Sequence, residues 1–288
     1  MPDVRLHDAS TIAVEVHGDG PTVLLPVNPR PVEGAQAEEM RRWGADPALG
    51  RSLIDGLGDA FRVVAFDYEG HVLQVPKPDT LTPANLVADL LAVADAAGAD
   101  RFAYYGYSWL ALAGLQLSLR TDRLRALAMG GFPPVDGPYR SMLAVTRAAH
   151  AASTRAPDPA SVPVAEAEPG DWDSAAVQTT EAQTRQFVTL YEALQDFNDS
   201  TTAVPSALPR LAFAGGDDQI DYSPQWGGVQ VRIGAPLAEH REELVAAGWE
   251  VHVLPGLNHL SAMHSSAVLP ILAGWLGRIG WVGQAATG

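Results

Sequence analysis

Short apolar runs, most of them without polar alternation and separated by longer helical patterns, constrain the fold of this chain more than any other feature. The runs lie at 23–25, 62–66, 102–105, 124–129, 211–214 and 251–254. A strand that is covered on both faces of a parallel sheet has this continuous apolar character. The alternation of strand and helix predicts right-handed crossovers and a doubly wound, mostly parallel α/β sheet.

The helical patterns between these runs carry recognisable ends. Thr82 followed by Pro83 is typical of an N-cap with proline in the first turn, and Gly98 is placed to close the same helix. Further helices are predicted over 109–119, 236–247 and 261–276.

One segment interrupts the rhythm. Residues 134–207 contain no convincing strand, and their centre is rich in proline and acidic residues. Helical patterns at 139–152 and 175–196 flank that centre and carry large apolar side chains that need burial, which favours a packed helical insertion over a disordered linker. The expected division is therefore a core of residues 1–133 and 208–288 with a helical cap at 134–207.

Composition excludes several classes of function. The chain has 34 acidic and 19 basic residues, a formal net charge of -15, which disfavours nucleic acid and anionic membrane surfaces as partners. It has no cysteine, so disulfides, thiolate metal sites and a cysteine nucleophile are excluded.

No segment has the length or polarity of a signal peptide or a membrane span, so a cytoplasmic protein is expected. No metal-binding motif and no phosphate-binding glycine loop is present, so the expectation is a small-molecule substrate without a cofactor or metal. Homo-oligomer formation is left open.

Ser108 is the strongest candidate for chemistry. It lies in Gly106-Tyr107-Ser108, directly after a predicted strand and before a predicted helix. A serine on such a sharp turn stands clear of the sheet, and the helix N-terminus behind it favours developing negative charge. A lone G-x-S pattern is more often structural, and the strand–helix context reverses that balance.

A serine nucleophile needs a base and an acid that orients the base. Of the eight histidines, His259 is the one that follows a predicted strand and its turn, at the carboxyl edge where ligands gather in open α/β sheets. Asp217 and Asp218 follow the strand at 211–214, so the chain order is Ser, Asp, His. Asp221 and Asp136 are outlying alternatives for the acid.

These residues and their order resemble the α/β-hydrolase fold family. The run 62–66 followed by Asp67-Tyr68-Glu69-Gly70-His71 is similar to the family's strand and D-x-R-G-H turn, with Glu69 where arginine is usual. The elbow, the segment 215–218 and the segment 255–259 extend the similarity through nearly all of the core. The resemblance implies Ser108 as nucleophile, His259 as base and Asp218, rather than Asp217, as the orienting acid.

Two departures from the family accompany this match. The loop after the first core strand contains Pro26-Val27 in place of the usual His-Gly, and Leu110 occupies an elbow position that usually holds a small residue. Since prolines donate no N–H, the oxyanion donors implied by the resemblance are the backbone N–H groups of Asn28 and Trp109.

The sequence thus predicts a serine hydrolase that acts on a small carboxylic ester or related acyl compound. The same three residues also fit carbon–carbon bond hydrolysis, lactone opening or a cyclisation step, and a non-catalytic ligand-binding protein is the alternative from a different class. Epoxide hydrolase and haloalkane dehalogenase activities fit less well, because members of the family with those activities use an aspartate at the position of Ser108.

Overall fold

Eleven strands and eleven α-helices lie within residues 3–155, 179–201 and 204–279, which are the residues that this computed structural model describes. The strands are β1 (Asp3–Arg5), β2 (Thr11–Ala13), β3 (Glu15–His17), β4 (Thr22–Leu25), β5 (Arg62–Ala65), β6 (Phe102–Tyr107), β7 (Leu124–Gly130), β8 (Arg210–Gly215), β9 (Gln219–Asp221), β10 (Gln230–Arg232) and β11 (Trp249–Leu254). The helices are α1 (Gly34–Arg42), α2 (Leu49–Leu57), α3 (Tyr68–Gln74), α4 (Pro83–Ala96), α5 (Trp109–Ser118), α6 (Tyr139–Ser153), α7 (Glu181–Glu192), α8 (Gly234–Glu239), α9 (Arg241–Ala246), α10 (His259–Met263) and α11 (Ser265–Arg278).

A seven-stranded sheet organises the chain, in the order β11-β8-β7-β6-β4-β5-β3. Every neighbouring pair is parallel except β3 with β5, which is antiparallel at the edge. The mostly parallel α/β sheet predicted from the sequence is therefore confirmed, and each of the six apolar runs lies on a strand of this sheet.

The sheet is apolar on both faces, as its continuous runs require. Along β6, Phe102 and Tyr104 join one buried cluster, whereas Ala103, Tyr105 and Tyr107 join the cluster on the opposite face. The first cluster includes side chains of α4 and α5, and the second includes side chains of α2 and α11. Helices thus cover both faces of the sheet.

Two predicted helices are broken in the structure. The predicted helix 236–247 is divided into α8 and α9 at His240, and the predicted helix 261–276 is divided into α10 and α11 at His264. At the second break the side chain of His264 accepts a hydrogen bond from the backbone N–H of Ser266 and so caps α11. By contrast, α4 begins as predicted, with the side chain of Thr82 accepting from the N–H of Asn85.

The segment 134–207 joins β7 to β8 and contains α6 and α7. Of its apolar side chains, Leu143, Leu190, Tyr191 and Leu194 are buried and Phe187 is half-buried. The predicted helix at 175–196 begins outside the described residues, and within them α7 starts at Glu181 with a capping box made by Thr180 and Gln183. The division into core and cap stays a prediction.

The strand order reverses between β4 and β6, which pair directly through Val23 with Ala103 and Leu24 with Tyr104. In open α/β sheets a reversal of this kind opens a crevice at the carboxyl edge, and ligands bind there. The loops that leave β4 and β6 at this crevice contain Asn28 and Ser108. No helix in the described part of the chain is long and apolar enough to cross a membrane.

Candidate active site

Ser108 occupies a strained turn between β6 and α5. Its backbone has φ 55° and ψ -130°, a conformation that residues with a side chain adopt rarely and at a cost of order 1–3 kcal/mol. Its N–H donates to the carbonyl of Gly130 at 2.8 Å, and its own carbonyl accepts from the N–H of Ala111. These two hydrogen bonds stabilise the turn. A sharp turn of this kind between a strand and a helix is the backbone arrangement of a nucleophile elbow.

Glycine at position 106 permits this turn. A Cβ on Gly106 would overlap the backbone carbonyl of Leu110, because α5 turns back closely over the end of β6. Leu110 itself is accommodated, since its side chain is buried in the core and its carbonyl accepts a 2.8 Å hydrogen bond from the hydroxyl of Tyr104. The larger residue at this position is therefore compatible with the elbow.

His259 and Asp218 form a hydrogen-bonded pair. Nδ1 of His259 lies 2.9 Å from Oδ2 and 3.1 Å from Oδ1 of Asp218. Asp218 is buried, whereas its neighbour Asp217 is exposed. A carboxylate on Nδ1 fixes the tautomer in which Nε2 is able to accept a proton.

Backbone hydrogen bonds join the loop that contains Asp218 to the loop that leads to His259. The N–H of Gly216 donates to Leu254 at 2.7 Å, and that of Asp217 donates to Leu257 at 3.0 Å. A Cβ on Gly215 would overlap the carbonyl of Leu257, so glycine is what lets the two loops approach this closely. The backbone that presents the acid and the backbone that presents the base therefore form one unit.

Tyr107 connects this unit to the elbow. Its hydroxyl donates to the backbone carbonyl of His259 at 2.7 Å, and the two ring centroids are 5.2 Å apart. Burial, together with the nearby carboxylate of Asp218, raises the pKa of Tyr107, so the hydroxyl keeps its proton and remains a donor. Ser108 forms no direct hydrogen bond with His259 within the described residues, and such bonds are often long before substrate binds.

The two candidate oxyanion donors lie at the crevice. Trp109 is the first residue of α5, and the first N–H groups of a helix have no acceptor within it. Asn28 lies in the loop that leaves β4, the strand that pairs directly with β6. A Cβ on Gly50 would overlap the carbonyl of Asn28, so α2 supports the backbone of this loop closely.

The indole of Trp109 joins the crevice to α7. Its ring lies edge-on to Phe187 with centroids 5.4 Å apart, and Nε1 donates to Oε1 of Glu69 at 3.1 Å. Tyr68 flanks it at 6.0 Å. Burial is the main cause that raises the pKa of Glu69, and Asp67 adds to it, although the hydrogen bond from Trp109 and the nearby His259 oppose the rise.

The structure thus brings Asp218 and His259 into contact and links them to Ser108 through Tyr107. Neither alternative acid contacts His259 among the described residues. Asp221 is exposed on β9 and accepts from Gln219 and Gln230, and Asp136 is exposed before α6, where its backbone N–H donates to Asp199. The connecting role of Tyr107 was not predicted from the sequence. The only signal for it was the position of Tyr107 between Gly106 and Ser108. The sequence signal that could have pointed to Glu69 was that it stands where the D-x-R-G-H turn usually has arginine. No cluster of three metal-ligating side chains occurs among the described residues.

Comparison with known proteins gives a similarity to solved structures. No family model matches the chain, and no curated protein matches it either. Solved structures that match over 96% of this chain include an esterase from Thermogutta terrifontis (18% identity, 97% of that chain, TM-score 0.59). Others are an epoxide hydrolase from Vigna radiata (16%, 97%, 0.61) and an enol-lactonase from Burkholderia xenovorans (19%, 100%, 0.59). At these identities the similarity is one of fold, and it confirms the expected architecture: the chain has the α/β-hydrolase fold.

Proposed function

We propose that this protein is a serine hydrolase that cleaves a small carboxylic ester or related acyl compound through an acyl-enzyme. The observation that carries the proposal is the pairing of the His259 ring with a buried carboxylate, on a loop tied by Tyr107 to the strained elbow of Ser108. Esterase and lactonase activities among proteins of the same fold support it.

In the first half of the proposed reaction, Ser108 Oγ bonds to the substrate carbonyl carbon while Nε2 of His259 takes the hydroxyl proton. Asp218 keeps the ring oriented and stabilises the imidazolium. The N–H groups of Asn28 and Trp109 donate to the carbonyl oxygen as it becomes negative. Collapse of this intermediate breaks the bond to the leaving alcohol, which receives the proton from His259.

In the second half, water attacks the Ser108 ester. His259 takes a proton from the water, a second oxyanion forms at the same donors, and collapse releases the carboxylic acid and restores Ser108. Lactone opening follows the same steps because a lactone is an internal ester, and the fold shared with an enol-lactonase favours lactones as members of the substrate class. No specific observation favours carbon–carbon hydrolysis or cyclisation.

Labelling with a fluorophosphonate probe tests this proposal without knowledge of the substrate. Native protein is expected to take up one probe molecule on the peptide that contains Ser108, and Ser108→Ala is expected to take up none. Ser206→Ala is a matched control, since Ser206 is exposed in the turn before β8 and lies outside the proposed site. A native chain that stays unlabelled would instead support a non-catalytic ligand-binding protein.

A further inference from the structure

Glu69 is exposed, and the surrounding protein nevertheless affects the pKa of its carboxylate. It lies in the first turn of α3 and is exposed, yet the protein around it desolvates the carboxylate enough to raise its pKa. Glu69 lies beside the elbow, because its carboxylate accepts a hydrogen bond from the side chain of Trp109, the residue after the nucleophile candidate.

The carboxylate has no cationic partner among the described residues. None of the ion pairs formed by the described residues involves Glu69. The titratable groups that act on it are Asp67, which is also negative, and His259, which is charged only when protonated. A carboxylate without a cationic partner attracts positive charge, so the carboxylate of Glu69 is available to pair with a cationic ligand.

The surroundings suit an ammonium group. The hydrogen bond from Trp109 reaches Oε1 only, which leaves Oε2 for a ligand. Trp109 and Phe187 add aromatic surface beside the carboxylate, and cations are bound favourably where a carboxylate and aromatic rings adjoin. The net charge of -15 attracts cations toward such a site over longer distances.

We propose that Glu69 binds a cationic substituent of the substrate, so that this site selects esters that carry an ammonium group. This inference rests on the proposed ester hydrolysis for its substrate class, although binding of the cation itself does not. Glu69 is assigned to specificity and takes no part in proton transfer at the reacting carbonyl.

Steady-state kinetics with a matched pair of substrates tests the inference. Acetylthiocholine and its neutral carbon analogue, 3,3-dimethylbutyl thioacetate, differ only in the charged atom. We expect native protein to prefer the cationic ester in kcat/KM by about 10- to 100-fold, the range for a quaternary ammonium held by a carboxylate and aromatic rings. Glu69→Gln keeps the acceptor for Trp109 and should reduce that preference to near unity, mainly through KM. Glu242→Gln, an exposed acid on α9, removes the same net charge and should leave the preference unchanged.

Equilibrium binding separates failure of this inference from failure of the proposed function. Calorimetry with choline and with neutral 3,3-dimethylbutan-1-ol requires no turnover. Native protein should bind choline at least tenfold more tightly, and Glu69→Gln should lose that difference. Equal binding of the two probes, or a preference that persists in Glu69→Gln, overturns the inference even where Ser108 is labelled. An unlabelled Ser108 together with a choline preference that needs Glu69 overturns the hydrolase proposal and leaves the cation site standing.

Discussion

The hydroxyl of Tyr107 donates a 2.7 Å hydrogen bond to the backbone carbonyl of His259, across 152 positions of sequence. Tyr107 also immediately precedes Ser108, so one side chain ties the loop of the candidate base to the turn of the candidate nucleophile. Glycines make room for it, since a Cβ on Gly130 or Gly131 would overlap its ring. The relative position of Ser108 and His259 therefore depends on Tyr107 as well as on the two strands that carry them.

Removing this hydroxyl should slow catalysis without weakening substrate binding. We expect Tyr107→Phe to lower kcat by about 2- to 10-fold, the net value of one hydrogen bond, with KM nearly unchanged. Tyr105→Phe is the matched control, because the Tyr105 hydroxyl is buried on the same strand without a hydrogen-bond partner among the described residues. Equal losses of kcat in the two variants would show that Tyr107 acts only through packing.

The two neighbouring aspartates should differ sharply. Asp218 is buried against Nδ1 of His259, whereas Asp217 is exposed. Asp218→Asn should lower kcat for an activated ester by about 10⁴-fold because it favours the wrong histidine tautomer. Asp217→Asn should stay within about twofold of native protein, since surface changes are usually small. The reverse ranking would identify Asp217 as the orienting acid.

The central sheet could be predicted because its inner strands are mostly buried and therefore consist largely of apolar residues. The edge strand β3 and the hairpins β1–β2 and β9–β10 are three residues long with alternating exposure, too short to stand out in the sequence. The breaks at His240 and His264 were missed because the apolar pattern continues through both positions.

Candidate site residues could be found where they follow strands. The chain order and the strand ends pointed to Ser108, Asp218 and His259, and the structure places the last two in contact. Tyr107 and Glu69 could not be assigned in this way, because their contacts join segments distant in sequence. Their positions become visible only when β6, α3 and α10 are brought together at the crevice.

Close contact between the acid and base loops predicts a strong effect of a single methyl group. Gly215→Ala should reduce the free energy of unfolding by roughly 1–3 kcal/mol, because the Cβ would press on the carbonyl of Leu257. It should also lower kcat, since the loop that contains Leu257 continues to His259. Gly277→Ala is the control: its Cβ meets nothing within 4 Å, and it should add up to about 1 kcal/mol through helix propensity. Urea unfolding of both variants measures the difference, and an undiminished stability of Gly215→Ala would contradict the packing described.

The contact between Asp8 and the buried Lys77 predicts that the free energy of unfolding depends on pH. Although partial burial acts to raise the pKa of Asp8, hydrogen bonds from Lys77 and Ser10 lower it well below its usual range. A depressed carboxylate pKa stabilises the fold above the unfolded-state value near 4, and this contribution is lost as the pH falls below it. Asp8→Asn should therefore lose less stability than native protein between pH 5 and pH 3 in urea unfolding. Asp59→Asn, an exposed residue before β5, should follow native protein, and an Asp8→Asn curve parallel to native would contradict the role of the ion pair.

Rapid-quench mass spectrometry with a short p-nitrophenyl ester measures the proposed covalent step most directly. Intact mass after mixing should show one acyl group per chain, located on the peptide that contains Ser108. Ser108→Ala should form no adduct, and His259→Ala should be slow in both acylation and deacylation because the same ring acts in each. If Ser108→Ala keeps most of the native rate of turnover and no adduct accumulates on native protein, covalent catalysis at Ser108 is contradicted.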